Sequence, residues 1–278
     1  MGIEVVAGIR LETRWIGQAR SGQTVLVFLH EGLGCMAQWR DFPDRVAASL
    51  DLPALVYSRA GYGASDPVEW PRPLDYLNRE GETHLPALLD HFGLERVVLI
   101  GHSDGATIAL IAAGDDGKRI AAGDDGERMA AGSDRDGRVL GAVAMAPHSF
   151  VEDLCLEAIA KVTHIYRTTD LRDKLARYHG DNVDCAFWGW NATWLEPGFK
   201  HWHIRDHLAA IRAPVLVIQG ASDEYASLEQ VEIIRRTVPA GVRTLVLPQC
   251  GHTPQRDQAQ AVFDAIVGFV RELGPVSA

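Results

Sequence analysis

The sequence predicts an α/β chain: a doubly wound, mainly parallel, eight-stranded sheet with a helical cap inserted after strand 6. Three observations carry that prediction. Near-continuous apolar runs of strand length recur at 24–30, 54–58, 97–100, 139–146, 214–220 and 243–248, which is how strands buried on both faces read. Helix-like stretches separate most of them, and strands alternating with helices build parallel sheets covered on both sides. Residues 148–212 contain no such run. They therefore read as a cap (lid) set between two core segments, 1–147 and 213–278.

Taken in order, residues 3–16 alternate loosely, with β-branched residues on either side of Gly8. That pattern predicts an antiparallel hairpin. The run at 24–30 ends in His30-Glu31-Gly32-Leu33-Gly34, and a helical stretch continues to about Leu50. The run at 54–58 leads into the glycine-rich turn Arg59-Ala60-Gly61-Tyr62-Gly63-Ala64-Ser65-Asp66. A helix is expected from about Asp75 to Phe92, with Gly93 as its stop signal. The run at 97–100 enters Gly101-His102-Ser103-Asp104-Gly105, and a small-residue apolar helix follows. Residues 112–139 hold a tandem repeat of nine-residue period, AAGDDGKRI, AAGDDGERM, AAGSDRDGRV. It is too polar and too short to form a solenoid, so it reads as a duplicated surface loop. The cap is dense in aromatics: Tyr166, Tyr178, Phe187, Trp188, Trp190, Trp194, Phe199 and Trp202. Most of these should form the cap's own core. Pockets are largely apolar and aromatic-lined, and we expect His148, Trp188, Trp190 and Trp194 to contact substrate.

Composition narrows the classes of function. The 278 residues are 47% hydrophobic and carry a net charge of −10, so phosphate-rich partners would be repelled. Neither nucleic acid nor a membrane is expected as a partner. The N-terminus has no basic start and no apolar core of a signal peptide, and no run reaches the length of a membrane span. Cys35, Cys155, Cys185 and Cys250 lie far apart and read as reduced thiols of a cytoplasmic protein. No cofactor or metal is expected. His201, His203 and His207 lack the cysteines and carboxylate-backed spacing of a metal site. The oligomeric state stays open between monomer and homodimer.

The chemistry centres on Ser103. It stands at the apex of a strand–turn–helix, flanked by Gly101 and Gly105, at a helix N-terminus whose dipole favours developing negative charge. With 27 glycines in the chain, chance alone would supply about 0.1 such pentapeptides. A serine hydroxyl needs an adjacent base and a third group to orient that base. The run at 214–220 ends in Ala221-Ser222-Asp223-Glu224, and the run at 243–248 in Gln249-Cys250-Gly251-His252. Ligand sites of open parallel sheets form at such carboxyl ends. The order Ser103, Asp223, His252 is the one expected on this kind of sheet. Glu224 and Asp153 compete with Asp223 for the acid. His30 is read as structural, His102 as buried in the turn, and Cys35 and Cys250 as packing.

Those residues resemble the α/β-hydrolase family over essentially the whole chain apart from the Gly-Asp repeat. The resemblance rests on 30–34, the turn 61–66, the serine turn, Asp223 and Gly251-His252. It implies that Ser103 attacks an acyl carbonyl, that His252 takes and later returns the proton, and that Asp223 holds the imidazole. It also implies an oxyanion hole formed by the Asp104 amide and one from Gly32, or alternatively Leu33. Two departures stand out: Glu31 where relatives carry glycine, and Asp104 where many have an uncharged side chain. The reading is a serine hydrolase acting on a small, fairly apolar ester, thioester or lactone, with a small-molecule acyl substrate as its partner. Two alternatives remain: a carbon–carbon bond hydrolase using the same triad, and a non-catalytic small-molecule receptor on the same fold. Dehalogenase and epoxide hydrolase chemistry would need an aspartate where Ser103 stands.

Overall fold

The apolar runs become strands because branched side chains pack well on a pleated surface and here are covered on both faces. In the computed structural model, which describes residues 1–122 and 137–274, eight strands form one sheet. They are β1 (Gly2–Val6), β2 (Ile9–Ile16), β3 (Val25–Leu29), β4 (Ala54–Tyr57), β5 (Val97–His102), β6 (Val139–Met145), β7 (Val215–Gly220) and β8 (Val242–Leu247). Their order is β1-β2-β4-β3-β5-β6-β7-β8. The hairpin β1–β2 and the pair β2–β4 are antiparallel, and all other pairs are parallel. The hairpin closes through Ala7 and Gly8, both at positive φ (49° and 84°); a two-residue turn of this twist requires that.

The helices are α1 (Phe42–Leu50), α2 (Tyr76–Arg79), α3 (Leu85–His91), α4 (Asp104–Ala122), α5 (Asp153–Thr168), α6 (Leu171–His179), α7 (Val183–Trp194), α8 (Arg205–Ala210), α9 (Leu228–Thr237), α10 (Pro254–Asp257) and α11 (Ala259–Glu272). Strand alternation sends side chains into two layers. Along β3, Val25, Val27 and Leu29 join the core that includes Leu88 of α3, Ile108 of α4, Leu208 of α8 and Ile234 of α9. Leu26 and Phe28 join the opposite core with Val46 of α1 and Ile266 of α11.

Several expectations need correction. The helix foreseen after Gly34 is split into a 3-10 turn (Met36–Trp39) and α1, because Arg40 takes a positive φ of 54° between them. The helix foreseen at 75–92 contains a π-helical stretch (Glu80–His84). Pro86 just beyond it has no N–H to continue an α-helical ladder. The run at 243–248 is not a buried strand: β8 is the sheet's edge, and Arg243, Thr244 and Val246 are exposed. The first copy of the Gly-Asp repeat is helical, since α4 runs to Ala122. The reason is packing against α8: a Cβ on Gly114 or Gly117 would collide with the carbonyls of His207 and Ala210. Asp116 of the same copy accepts the amides of Arg138 and Val139 and so anchors the start of β6. The rest of the repeat, 123–136, lies outside the described residues. No helix among the described residues is long and apolar enough to cross a membrane.

Close packing at Gly114 makes a direct prediction. Gly114→Val should cost about 1–3 kcal/mol in urea unfolding. Gly268→Ala in α11, where an added Cβ meets nothing, should be neutral or stabilise by up to about 1 kcal/mol.

Candidate active site

β5 ends and α4 begins within a turn so tight that its glycines have no substitutes. A Cβ on Gly101 would strike the Gly105 backbone, and one on Gly105 would strike the Leu29 carbonyl. Ser103 at the apex is held at φ 52°, the left-handed region that side-chain residues avoid. Its amide donates to the Met145 carbonyl at 2.8 Å, and its own carbonyl accepts from Thr107 N at 3.0 Å.

The loops after β7 and β8 bring the other expected residues to this apex. His252 Nε2 lies 2.9 Å from Ser103 Oγ. Its Nδ1 lies 2.9 and 2.8 Å from the two Asp223 oxygens. Asp223 also accepts from the amides of Tyr225 (2.8 Å) and Ala226 (3.2 Å) and from Gln219 Nε2 (2.6 Å). Burial opposes the charge of Asp223, but the His252 hydrogen bond and the Tyr225 amide hold its carboxyl below the usual range. A carboxylate on Nδ1 makes that nitrogen the donor, which leaves Nε2 to accept from the serine hydroxyl. The competing acids are elsewhere: Asp153 pairs on the surface with Lys200 at 2.7 Å, and Glu224 points to solvent.

The loop after β3 is clamped by its carbonyls. Arg59 Nη2 donates to the carbonyls of His30 (3.3 Å) and Glu31 (3.2 Å). The Glu31 carbonyl also accepts from His30 Nδ1 (2.7 Å) and Gly34 N (3.1 Å). The Leu33 carbonyl accepts from His179 Nε2 at 3.1 Å. The amides of Gly32 and Leu33, and that of Asp104 opening α4, have no acceptor among the described residues. His30, fully buried, accepts from Arg59 N on its other nitrogen and so ties this loop to the one after β4. Trp190 lies over Gly32, where a Cβ would collide with the indole.

Three further groups surround Ser103. His102, 1% exposed, donates through Nε2 to the His252 carbonyl at 2.7 Å, and its Nδ1 is 3.4 Å from Glu31 Oε2. Burial works against the Glu31 charge and His102 overrides it, holding the carboxyl at about 2. The Asp104 carboxylate accepts from Tyr76 Oη at 2.7 Å, with Arg59 Nη2 at 3.8 Å. Burial nevertheless pushes the Asp104 carboxyl up. His148, 2% exposed, packs its ring 5.1 Å from Trp194 and 5.6 Å from His252.

Of the four expected contact residues, His148, Trp190 and Trp194 are brought to this place and Trp188 is not. Trp188 packs with Trp70, Tyr166, Phe187 and Arg167. On a helix of 3.6 residues per turn, residues two apart face nearly opposite ways and residues four apart share a face. Sequence reading missed Tyr225, whose ring sits 4.7 Å from His252, along with Arg59, Tyr76 and His179. Their signal was weak because each acts through tertiary contact. Of the histidines at 201–207, His207 pairs with Glu82 at 2.6 Å, and no metal-holding group occurs among the described residues.

The model of the alpha/beta hydrolase family matches residues 26–265. This chain belongs to the α/β-hydrolase family. It is 29% identical over 266 residues to the dihydrolipoyllysine-residue acetyltransferase component of an acetoin cleaving system from Pseudomonas putida, covering 93% of this chain. The α/β-hydrolase chain spans 66% of that relative's length. Among solved structures it resembles the enol-lactonase of Burkholderia xenovorans LB400, with a TM-score of 0.68, 17% identity and 97% and 99% of the two chains covered. It also resembles a meta-cleavage product hydrolase from Pseudomonas fluorescens IP01, with a TM-score of 0.66, 18% identity and 99% and 98% covered. At these identities the likeness is one of fold.

Burial first, then His252, pushes the His148 imidazole down to about 3. The fold thus favours the neutral ring. That contribution is present above the ordinary histidine value of about 6.5 and is lost as pH falls from there toward 3. Urea unfolding at pH 7.5 and pH 5 should show a smaller acid loss of stability for His148→Gln than for wild type.

Proposed function

We propose that this α/β-hydrolase is a serine hydrolase that cleaves a small, fairly apolar carboxylic ester, thioester or lactone through an acyl-enzyme. The observation that carries the reading is the unbroken hydrogen-bonded chain from Ser103 Oγ through His252 to Asp223. In this reading His252 Nε2 takes the Ser103 proton as the oxygen attacks the substrate carbonyl. The imidazolium that results is stabilised by Asp223. The tetrahedral oxyanion accepts from the Asp104 amide and from Gly32, with Leu33 as the alternative donor, and the held carbonyls of His30, Glu31 and Leu33 fix the loop that presents those amides. His252 then protonates the leaving group. Water repeats the sequence on the acyl-enzyme and releases the acid.

Residues 148–212 act as a helical cap in this reading, with His148, Trp190 and Trp194 forming an apolar wall with one neutral imidazole beside Ser103. The enol-lactonase neighbour fits ester-type chemistry. A carbon–carbon bond hydrolase would use the same three residues, and the meta-cleavage product hydrolase neighbour makes it the second reading.

The test uses a fluorophosphonate probe and p-nitrophenyl acetate with wild type and Ser103→Ala. Wild type should label at Ser103 and turn over the ester, and the variant should lose about 10³-fold or more in kcat. An unlabelled wild type no faster than the variant would sink the enzyme reading and favour a receptor. A panel of aryl esters, acyl thioesters, lactones and vinylogous 1,5-diketones then separates ester from carbon–carbon cleavage: turnover of the diketones alone would overturn the ester assignment.

A further inference from the structure

The helices between β6 and β7 reach past any covering role and hold the backbone beside Ser103. α6 ends at His179, where Gly180 takes a positive φ of 54° that glycine adopts readily. The His179 ring is thereby buried, 2% exposed, between two loops of the sheet. Its Nδ1 accepts the Gly63 amide at 3.0 Å and its Nε2 donates to the Leu33 carbonyl at 3.1 Å. Only the neutral Nε2–H tautomer satisfies both bonds, and burial lowers the pKa of the ring accordingly. Next to it, Asn182 Nδ2 donates to the carbonyls of Gly63 and Ser65 at 3.2 and 2.6 Å, so this junction is docked at several points. On α7, Trp194 Nε1 donates to Tyr76 Oη at 2.8 Å, and Tyr76 Oη donates to Asp104 at 2.7 Å.

These contacts fall on the two halves of one feature. Leu33 belongs to the loop with free amides at Gly32 and Leu33, and Asp104 supplies the free amide at the start of α4. We propose that His179 and Trp194 are positioning residues for the oxyanion hole, His179 setting the Gly32–Leu33 side and Trp194, through Tyr76, the Asp104 side. The proposal rests on the serine-hydrolase reading above. It adds that the inserted helices take part in transition-state stabilisation as well as in enclosing substrate. A peptide plane free to rotate would aim its amide away from the oxyanion. The Leu33 carbonyl shares its peptide plane with the Gly34 amide, which donates to the Glu31 carbonyl at 3.1 Å. That carbonyl in turn shares its plane with the Gly32 amide, so holding the first plane restrains the second. Sub-ångström misplacement of such donors is felt mainly in the transition state.

The experiment compares wild type, His179→Leu, His179→Gln, Trp194→Phe and Ser103→Ala, each checked by thermal unfolding. Two rates are read: phosphonylation by the fluorophosphonate, and kcat with KM for p-nitrophenyl acetate. His179→Leu and Trp194→Phe should each lower kcat and the phosphonylation rate about tenfold with KM within about twofold. His179→Gln keeps a donor for Leu33 and an acceptor for Gly63, and should recover most of the loss. The proposal is overturned if His179→Leu and Trp194→Phe phosphonylate as fast as wild type, if the losses lie in KM alone, or if His179→Gln is no better than His179→Leu. Should His179→Leu fail to fold, a Trp194→Phe protein reacting at the wild-type rate overturns it as well. A wild type that reacts no faster than Ser103→Ala is a separate failure: it removes the nucleophile assignment first, and this proposal with it.

Discussion

The turn from Gly101 to Gly105 is the constraint on which the rest of the molecule depends. A buried strand must end and a helix must begin within it, so Ser103 carries a positive φ that costs of order 1–3 kcal/mol. Its neighbours over-determine that conformation. The Ser103 amide is tied to β6 through Met145, its carbonyl to Thr107, and Gly105 lies flat on the end of β3. Because the turn is wedged between β3 and β6, the loops at the carboxyl ends of the neighbouring strands all converge on one atom, Ser103 Oγ.

That convergence gathers carboxylates in a poorly hydrated space, where unpaired charge is expensive. Each has its own partners. Asp223 is wrapped by His252, Gln219 and two amides. Glu31 faces His102. Asp104 is shared between Tyr76 and Arg59. The two residues that depart from the family pattern, Glu31 and Asp104, are thus absorbed into the scaffold around Ser103. Arg59 matters most here, since one buried guanidinium serves the carbonyls of the loop after β3 and sits against the carboxylate that opens α4.

Much of the fold was legible because burial on both faces leaves an unmistakable record in strands such as β3 and β5. The record fades where burial is partial. β8 reads like its neighbours yet lies at the edge. The Gly-Asp stretch after Ser103 reads as a loop yet continues α4 as far as Ala122, because Gly114 and Gly117 are there to admit α8. For the site, Ser103, Asp223 and His252 could be named because each follows an apolar run at a strand's carboxyl end. Trp188 was grouped with Trp190 and Trp194, although its helical phase turns it toward Trp70.

The sequence by itself determined the order of strands and helices along the chain, the tight serine turn, and Ser103 and His252 as the pair that meets there. Periodicity, glycine spacing and strand-end position are local properties of a chain. Only the tertiary structure decided which acid faces His252, which tryptophans face Ser103, and that His179, Tyr76 and Arg59 hold the surrounding loops. Those roles depend on contacts between residues as far apart as Leu33 and His179. Such contacts come from packing direction, and no local pattern encodes them.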